Sequence, residues 1–388
     1  MYSLIHAFRR EPALISIFIL TVSGSMDALI SPTLPRMAEE LQIPLQLIGL
    51  LVSMYALPGI FLTLPAGLLV DKVGRKKPAI LALLFFSIPG VLIAFTTDFM
   101  LILILRVIQG IGRIFLLFIS LTLIGDIFKG PERLQVMGTN MAVLYIGSVT
   151  FSVLGGVLAD ISWKYPFLFH AWILFTIPFI LKIKESRSVK NGEQLDIKSL
   201  LKSARELRIL ASLISGLALS YVYTGAIVTS LPMFLSQKFE ATSSFIGVLL
   251  ATLQLVSAIA AICTKAITKR LSSNSLLSGS FAAYGALLVP ISYASDPILF
   301  IPLSASIGIF HGILVTIAPD IVTSSSPQHM RGSVVSLYST MVRIGQMLGA
   351  AMLAHLLYLF GGYIFAYAGL LCLLVAILLS ILLRIGRG

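Results

Sequence analysis

Long apolar runs separated by short polar segments dominate this sequence. A helix that crosses a bilayer needs about 20 mostly apolar residues. Reading the chain for such runs, with charge, proline and glycine marking the loops, gives twelve predicted spans. They cover 13–35, 45–69, 78–96, 100–125, 136–158, 166–183, 207–231, 244–264, 276–295, 298–320, 332–359 and 363–384. The pattern therefore predicts an all-α membrane protein with twelve transmembrane helices.

The charge content indicates that lipid surrounds most of the chain. Hydrophobic residues form 57% of the sequence and charged residues 11%, whereas soluble domains carry about 25% charged residues. The net charge of +12 does not indicate a nucleic-acid partner, because the basic residues lie in short loops between apolar runs. Cys263 and Cys372 have no spacing typical of a disulfide framework or a metal site. No catalytic constellation or phosphate-binding loop is present in the sequence, so we expect neither an enzyme nor a bound cofactor or metal.

The distribution of Lys and Arg predicts the orientation. With the N-terminus inside, 22 of the 28 basic residues fall in inner segments and 3 in outer segments. Positive charge accumulates in the cytoplasmic loops of membrane proteins. We therefore predict a protein of the cytoplasmic membrane with both termini in the cytoplasm.

A polar stretch at 184–206 divides the chain into two halves of similar length. We predict six helices in 1–183 and six in 207–388, joined by this stretch as a cytoplasmic linker. Its segment IKSLLKSARELRIL is amphipathic, and is either a helix on the inner membrane surface or a solvated linker. The halves show weak internal similarity, because IGLLVSMYALPGIF at 48–61 resembles IGVLLATLQLVSAI at 246–259.

The segment GLLVDKVGRKK at 67–77 lies in a predicted inner loop. It resembles the signature loop of the major facilitator superfamily, and it matches that signature at Gly67, Asp71, Gly74, Arg75 and Lys76. The resemblance implies the fold of that transporter family. It also implies a conformational latch, in which Asp71 faces the start of the eleventh helix and Arg75 reaches Asp126. The corresponding segment of the second half, 265–273, lacks the aspartate and both glycines, so this latch would be one-sided.

The fourth span carries two arginines in the string RVIQGIGR at 106–113. An arginine inside lipid costs at least about 2.5 kcal/mol, so Arg106 and Arg113 should face protein or a water-filled cavity. They are seven residues apart and share a helix face with Gln109. The string resembles the R-x-x-Q-G-x-G motif of drug–proton antiporters, in which the arginine is linked to proton transfer, although Arg113 departs from that motif. A purely structural hydrogen-bonding role is the alternative for both arginines.

Asp27 is the only carboxylate well inside a predicted span. A carboxylate within the membrane is a natural proton carrier or cation contact, and a fixed ion pair with an arginine is the alternative. Its position resembles the acidic motif in the first helix of drug–proton antiporters. Glycines at 138, 147, 155 and 156 match the spacing of that branch's fifth-helix motif, but Phe-Ser at 151–152 replaces its Gly-Pro. This loss weakens the antiport interpretation.

Other polar residues within the spans are candidates for a substrate cavity. They are Tyr55, Tyr145, Tyr221, Tyr223, Gln254, Tyr338 and Arg343, in addition to Gln109 and Arg113. His311 and His355 could act as proton sites, but lone histidines in helices are more often packed and hydrogen-bonded. Ordinary packing inside the helical bundle is the alternative for the tyrosines as well.

Two functions fit these residues. The first is proton-coupled export of small amphipathic or cationic molecules by alternating access, in which Asp27 carries the proton or contacts the cation and Arg106 adjusts its proton affinity. The second is transport of an anionic metabolite such as a carboxylate or a siderophore, favoured by Arg106, Arg113 and Arg343 against one intramembrane acid. In either case we expect a monomer whose partners are a small-molecule substrate, protons and membrane lipid.

Overall fold

A computed structural model describes residues 12–181, 206–327 and 330–385, and its architecture is all-α. The first half contains α1 (Pro12–Ser25), α2 (Leu34–Glu40), α3 (Leu45–Val73), α4 (Lys76–Ile93), α5 (Phe99–Ile127), α6 (Gly130–Ile161), α7 (Lys164–Leu168) and α8 (Ile177–Ile180). The second half contains α9 (Leu207–Val222), α10 (Leu231–Phe239), α11 (Ser243–Ile267), α12 (Ser273–Leu288), α13 (Phe300–Ser325), α14 (Arg331–Phe360) and α15 (Ile364–Ile385). Short 3-10 turns lie at Met26–Leu29, Ser31–Thr33, Phe169–Thr176, Val289–Tyr293, Pro297–Leu299 and Gly361–Tyr363, and a π-helical segment, Tyr223–Ser230, joins α9 to α10.

The described residues contain 10 helical stretches that are long and apolar enough to cross a membrane. One of these stretches, Arg331–Ile385, contains both α14 and α15, which the turn at Gly361–Tyr363 separates. The sixth predicted span, 166–183, corresponds to Lys164–Ile180, a shorter apolar helical stretch. The protein is thus a multi-pass helical membrane protein, while the count of twelve crossings stays a prediction.

The first membrane segment, Leu14–Glu40, is not one continuous α-helix. Two 3-10 turns separate α1 from α2. Pro32 and Pro35 lack an amide hydrogen and cannot continue an α-helical hydrogen-bond ladder, which accounts for the interruption. As a result, Asp27 lies on the turn Met26–Leu29 instead of on a regular helix.

The two halves pack along two helix pairs, α3 with α14 and α6 with α11. Gly49 of α3 lies against the backbone oxygen of Ala350 in α14, so closely that a Cβ atom would not fit. Small residues allow membrane helices to approach to this distance. Ser53 of α3 also donates a hydrogen bond to the backbone oxygen of Met347 over 2.7 Å. The predicted linker lies at 184–206, and all of it except Glu206 is outside the described residues.

Candidate functional site

A cavity of about 260 Å³ lies between the two halves. Six of the predicted cavity residues line it, namely Tyr55, Arg113, Tyr145, Tyr223, Gln254 and Arg343. Asp27 and Arg106, the residues predicted to couple transport to protons, line it as well. The cavity therefore brings the candidate coupling residues and most of the candidate substrate residues into one compartment.

Asp27 and Arg113 form an ion pair in the wall of this cavity. Arg113 Nε donates to Asp27 Oδ2 over 2.8 Å. The Asp27 side chain is 30% exposed and the Arg113 side chain 15% exposed, so both groups are partly open to the cavity. Direct hydrogen bonding offsets part of the cost of removing the two charges from water. The pair also fixes the interrupted first membrane segment against α5.

Arg106, which we expected to act on Asp27, has other partners. Its Nε donates to the backbone oxygen of Leu51 over 3.0 Å, and its Nη1 donates to Gln109 Oε1 over 2.6 Å. Its Cζ lies 4.4 Å from the ring centroid of Tyr55, a cation–π contact. Seven residues of α-helix span about 10 Å, so Asp27 cannot bond both arginines of α5 equally. The hydrogen-bond partner of Asp27 is therefore Arg113, and the effect of Arg106 on the proton affinity of Asp27 stays a prediction.

Gln109 is fully buried beside α4 and does not line the cavity. Its Nε2 donates to the backbone oxygen of Phe86 over 3.2 Å, while its Oε1 accepts from Arg106. This corrects its prediction as a substrate contact. Gln109 instead positions Arg106, because its side-chain amide connects the guanidinium of Arg106 to the backbone of α4 through two hydrogen bonds.

The second half supplies an aromatic and mostly neutral wall. The rings of Tyr223 and His311 are stacked, with centroids 4.2 Å apart and 24° between their planes. Ser257 Oγ lies 2.9 Å from His311 Nδ1. Gln254 Nε2 donates to Ser152 Oγ of the first half over 3.1 Å, and its Oε1 has no partner among the described residues. Ser257 was not predicted, although it follows Gln254 by three residues and so shares its helix face.

Arg343 is the only arginine or lysine that the described second half contributes to the cavity. Its Nη1 donates to Gln346 Oε1 over 2.8 Å. Its aliphatic stem lies over Gly59 of α3, where a Cβ atom would come within 2.8 Å of Arg343 Cδ. The missing side chain at position 59 thus lets a second-half arginine reach across to the first half.

Tyr221 and Tyr338 do not line the cavity, which corrects both predictions. The Tyr338 ring lies against Gly216 of α9, and the Tyr221 backbone lies against Gly349 of α14. Both tyrosines therefore pack at the contact between α9 and α14. Residues two apart on an α-helix point to nearly opposite sides, which explains why Tyr223 lines the cavity and Tyr221 does not, although both were predicted there.

A second ion pair lies at the C-terminal end of α5. Arg75 Nε donates to Asp126 Oδ2 over 2.8 Å, and the two side chains are 3% and 19% exposed. These are the two residues that the family resemblance paired. Gly74 precedes them with a φ of 92°, a conformation that favours glycine. Gly67 and Asp71 lie near the end of α3, where their side chains are outside the described part, so the contact of Asp71 stays a prediction.

Comparison with known proteins decides the family. The family model of the major facilitator superfamily matches residues 14–225 and 213–387. The chain belongs to the major facilitator superfamily. Its relatives are transporters, not enzymes, which agrees with the many apolar helices and the cavity between two halves.

Individual relatives of this superfamily member include exporters. Multidrug resistance protein 2 of Bacillus subtilis (strain 168) is 24% identical over 375 residues, which cover 91% of this chain and 92% of that protein. The bacillibactin exporter of the same organism is 33% identical over 156 residues, or 38% of each chain. A crystal structure of a mutant of the nucleoside transporter NupG matches with a TM-score of 0.78 and 13% identity, over 97% of this chain and 100% of that one. At this identity the NupG match shows the fold alone.

Proposed function

We propose that this transporter exports small amphipathic or cationic molecules in exchange for protons. The observation that carries the proposal is the Asp27–Arg113 ion pair, which is partly open to the central cavity. An acidic group in that position can receive a proton or contact a cation from the cavity. The relative named bacillibactin exporter supports export as the direction, and the names of Multidrug resistance proteins 1 and 2 of Bacillus subtilis (strain 168) support drug-like substrates.

The ion pair suggests how a proton and a substrate can compete. Ionised Asp27 holds Arg113 through Oδ2, and its charge also attracts a cationic substrate. A proton on Asp27 removes that charge, weakens the bond to Arg113 and lowers the affinity for a cation. Proton and substrate thus stabilise different states of one carboxylate, and this differential binding is what an exchange mechanism requires.

Exchange also requires the cavity to open to each side in turn, by rocking of one half against the other. We propose twelve crossings in the halves 1–183 and 207–388, with both termini in the cytoplasm and the protein monomeric in the cytoplasmic membrane. We further propose that the latch of Gly67, Asp71, Gly74, Arg75 and Asp126 acts on the inner side. The observed Arg75–Asp126 pair supports this role.

Transport of an anionic metabolite is the second candidate, and one observation favours it. Three arginines line the cavity, Arg106, Arg113 and Arg343, whereas Asp27 is the one acidic residue among the described lining residues. A cavity with an excess of positive charge attracts anions. Arg106 contacts the backbone oxygen of Leu51, the side-chain amide of Gln109 and the ring of Tyr55, and none of these groups carries a negative charge that would neutralise its guanidinium.

The deciding experiment is transport in proteoliposomes with an imposed pH gradient and a panel of cations and anions. Asp27→Asn keeps the size of the side chain but cannot exchange a proton. We expect it to abolish transport driven by the gradient while sparing exchange of substrate for substrate. Asp296→Asn is the control, because Asp296 does not line the cavity and only caps a turn, in which its Oδ1 accepts a hydrogen bond from Ile298 N.

The anionic candidate predicts a different result from the same assay. Arg113→Ala would then raise the apparent substrate constant sharply, and Asp27→Asn would leave transport driven by the gradient largely intact. Retention of the wild-type pH dependence in Asp27→Asn would rule out the proton-exchange mechanism.

A further inference from the structure

The α6–α11 contact between the halves is concentrated at one end of α6. Gly156 lies against the backbone of Ser243 and Ser244, and Gly247 lies against the backbone oxygen of Ser152. Gly138 is on the same face of α6 as Gly156, because 18 residues make about five turns. A Cβ atom at Gly138 would nevertheless meet nothing within 4 Å. The two halves are therefore in backbone contact near Gly156 and apart near Gly138.

Asp160 of α6 lies one turn beyond Gly156, at the start of α11. Asp160 Oδ1 accepts a hydrogen bond from Ser243 N over 2.7 Å, and Oδ2 accepts one from Ser244 N over 3.1 Å. Each carboxylate oxygen thus binds one amide of the other half. Charge favours the arrangement too, since a helix N-terminus carries about half a positive elementary charge.

The first four amide groups of an α-helix have no partner within the helix. In α11, whose N-cap is Thr242, Phe245 N donates to Thr242 Oγ1 over 3.2 Å. Ser243 N and Ser244 N donate to Asp160, and Ile246 N makes the first regular helical bond, to the backbone oxygen of Thr242 over 3.1 Å. The start of α11 is therefore capped twice, by a residue of its own half and by a residue of the opposite half.

We propose that Asp160 is a clasp, a group whose bonds to Ser243 and Ser244 stabilise the conformation in which this end of the cavity is closed. Thr242 moves with α11 and keeps its bonds in every conformation. Asp160 belongs to the first half, so its bonds exist only while the halves meet at this end. The sequence places this end outside, and the clasp therefore favours the conformation that is closed to the outside. Transport must break both bonds once in every cycle.

The test measures the distance between the halves at this end in substrate-free protein. Spin labels are attached at Lys164→Cys and Gln237→Cys, which are both exposed positions, and the distance between the two labels is measured. Cys263→Ser is made first, so that the exposed native cysteine is not labelled. Asp160→Ala should raise the ratio of long to short distances by about fivefold, the size typical of a lost capping carboxylate. Ser243→Pro should shift it in the same direction, because proline at the first helical position removes the amide hydrogen without breaking the helix.

Two matched variants separate the clasp from ordinary helix capping. Asp98 caps α5 within the first half, accepting from Met100 N over 2.8 Å, and Ser273 has the same first position in α12 that Ser243 has in α11. Asp98→Ala and Ser273→Pro should leave the distance ratio unchanged. Asp160→Asn, which keeps one acceptor oxygen, should give a smaller shift and serves if Asp160→Ala does not fold. An unchanged ratio in folded Asp160→Asn and Ser243→Pro, or an equal shift in Asp98→Ala, would overturn the proposal.

Discussion

The two halves of this transporter contribute different kinds of side chain to one cavity, an ion pair from the first half and aromatic rings from the second. The first half contributes the Asp27–Arg113 ion pair, with Arg106 behind it. The second half contributes the stacked rings of Tyr223 and His311, neutral amides and hydroxyls, and a single charged residue, Arg343. The difference indicates a division of labour. In the proposed exchange mechanism, the proton binds to the first half at Asp27, whereas the second half contributes an aromatic, mostly neutral surface and one arginine, Arg343.

The same difference recurs at the ends of two corresponding helices. Asp126 near the end of α5 is paired with Arg75, whereas Asp320, near the end of α13, is exposed. A Leu-Gly pair follows each aspartate at the same distance in the sequence, at 154–155 and at 348–349, as expected for an internal repeat. Among the described residues, the ion pairs at the cavity and at this helix end therefore both lie in the first half.

The largest effect is expected from removing the ion pair of the first half. Arg113→Gln leaves Asp27 without its cationic partner, and losing one partner of a buried pair costs about 3–5 kcal/mol. Partial exposure of both groups reduces this to roughly 2–3 kcal/mol, so we expect transport driven by a pH gradient to fall about 30- to 150-fold. Initial rates in proteoliposomes measure it.

Arg343→Gln is the matched change in the second half. Arg343 donates to a neutral amide, that of Gln346, so its loss leaves no unpaired acid and should reduce the rate several-fold at most. The double variant Asp27→Asn with Arg113→Gln should recover the yield of folded protein without recovering dependence on the gradient. Equal losses in the two single variants would contradict the proposed division between the halves.

A smaller effect is expected at the ends of α5 and α13. Asp126→Asn removes a charge-assisted hydrogen bond to Arg75, worth about 1–2 kcal/mol, and should lower the melting temperature in detergent by about 2–4 °C. Asp320→Asn should change it by less than about 1 °C, because an exposed charge contributes little. Similar melting temperatures for the two variants would show that the first-half pair does not stabilise the structure.

The smallest effect is expected from changing the aromatic wall of the second half. Tyr223→Leu removes the stack on His311, and such aromatic pairs contribute about 0.5–1.5 kcal/mol. We expect the substrate concentration for half-maximal transport to rise about two- to tenfold, with the pH dependence unchanged. Tyr223→Phe keeps the ring and should behave as the wild type. A changed pH profile in Tyr223→Leu would assign proton coupling to the second half as well.

The hydrophobic pattern predicted most helices well because lipid leaves little choice of structure. The predicted spans 45–69, 100–125 and 136–158 fall within α3, α5 and α6. Every backbone amide in the bilayer needs an internal partner, so a long apolar run becomes a helix. The interruption at Asp27 was not predicted, because the pattern reports the length of a segment and not its local hydrogen bonding.

The site was harder to predict, because a periodic pattern identifies a face but not the neighbour of that face. Arg106, Gln109 and Arg113 share one side of α5, yet each contacts a different kind of group. Arg106 contacts the ring of Tyr55, Gln109 the backbone of α4, and Arg113 the carboxylate of Asp27. Side-chain direction and helix rotation decide among these outcomes, and both depend on packing between helices. His311 was treated as an isolated histidine, since its stacking partner lies 88 positions away in the sequence.

The π-helical segment Tyr223–Ser230 has a consequence for comparing this chain with its relatives. Leu231 N donates to the backbone oxygen of Ala226, five residues earlier, and such wide turns accommodate one residue more than an α-helix does. Each added residue rotates the following helix face by about 100°. A relative with a regular α-helix here has one residue fewer, so an alignment without a gap would assign α10 the wrong lipid-facing and protein-facing sides. Chimeras between such proteins should therefore be joined before Tyr223 or after Ser230, never within the segment.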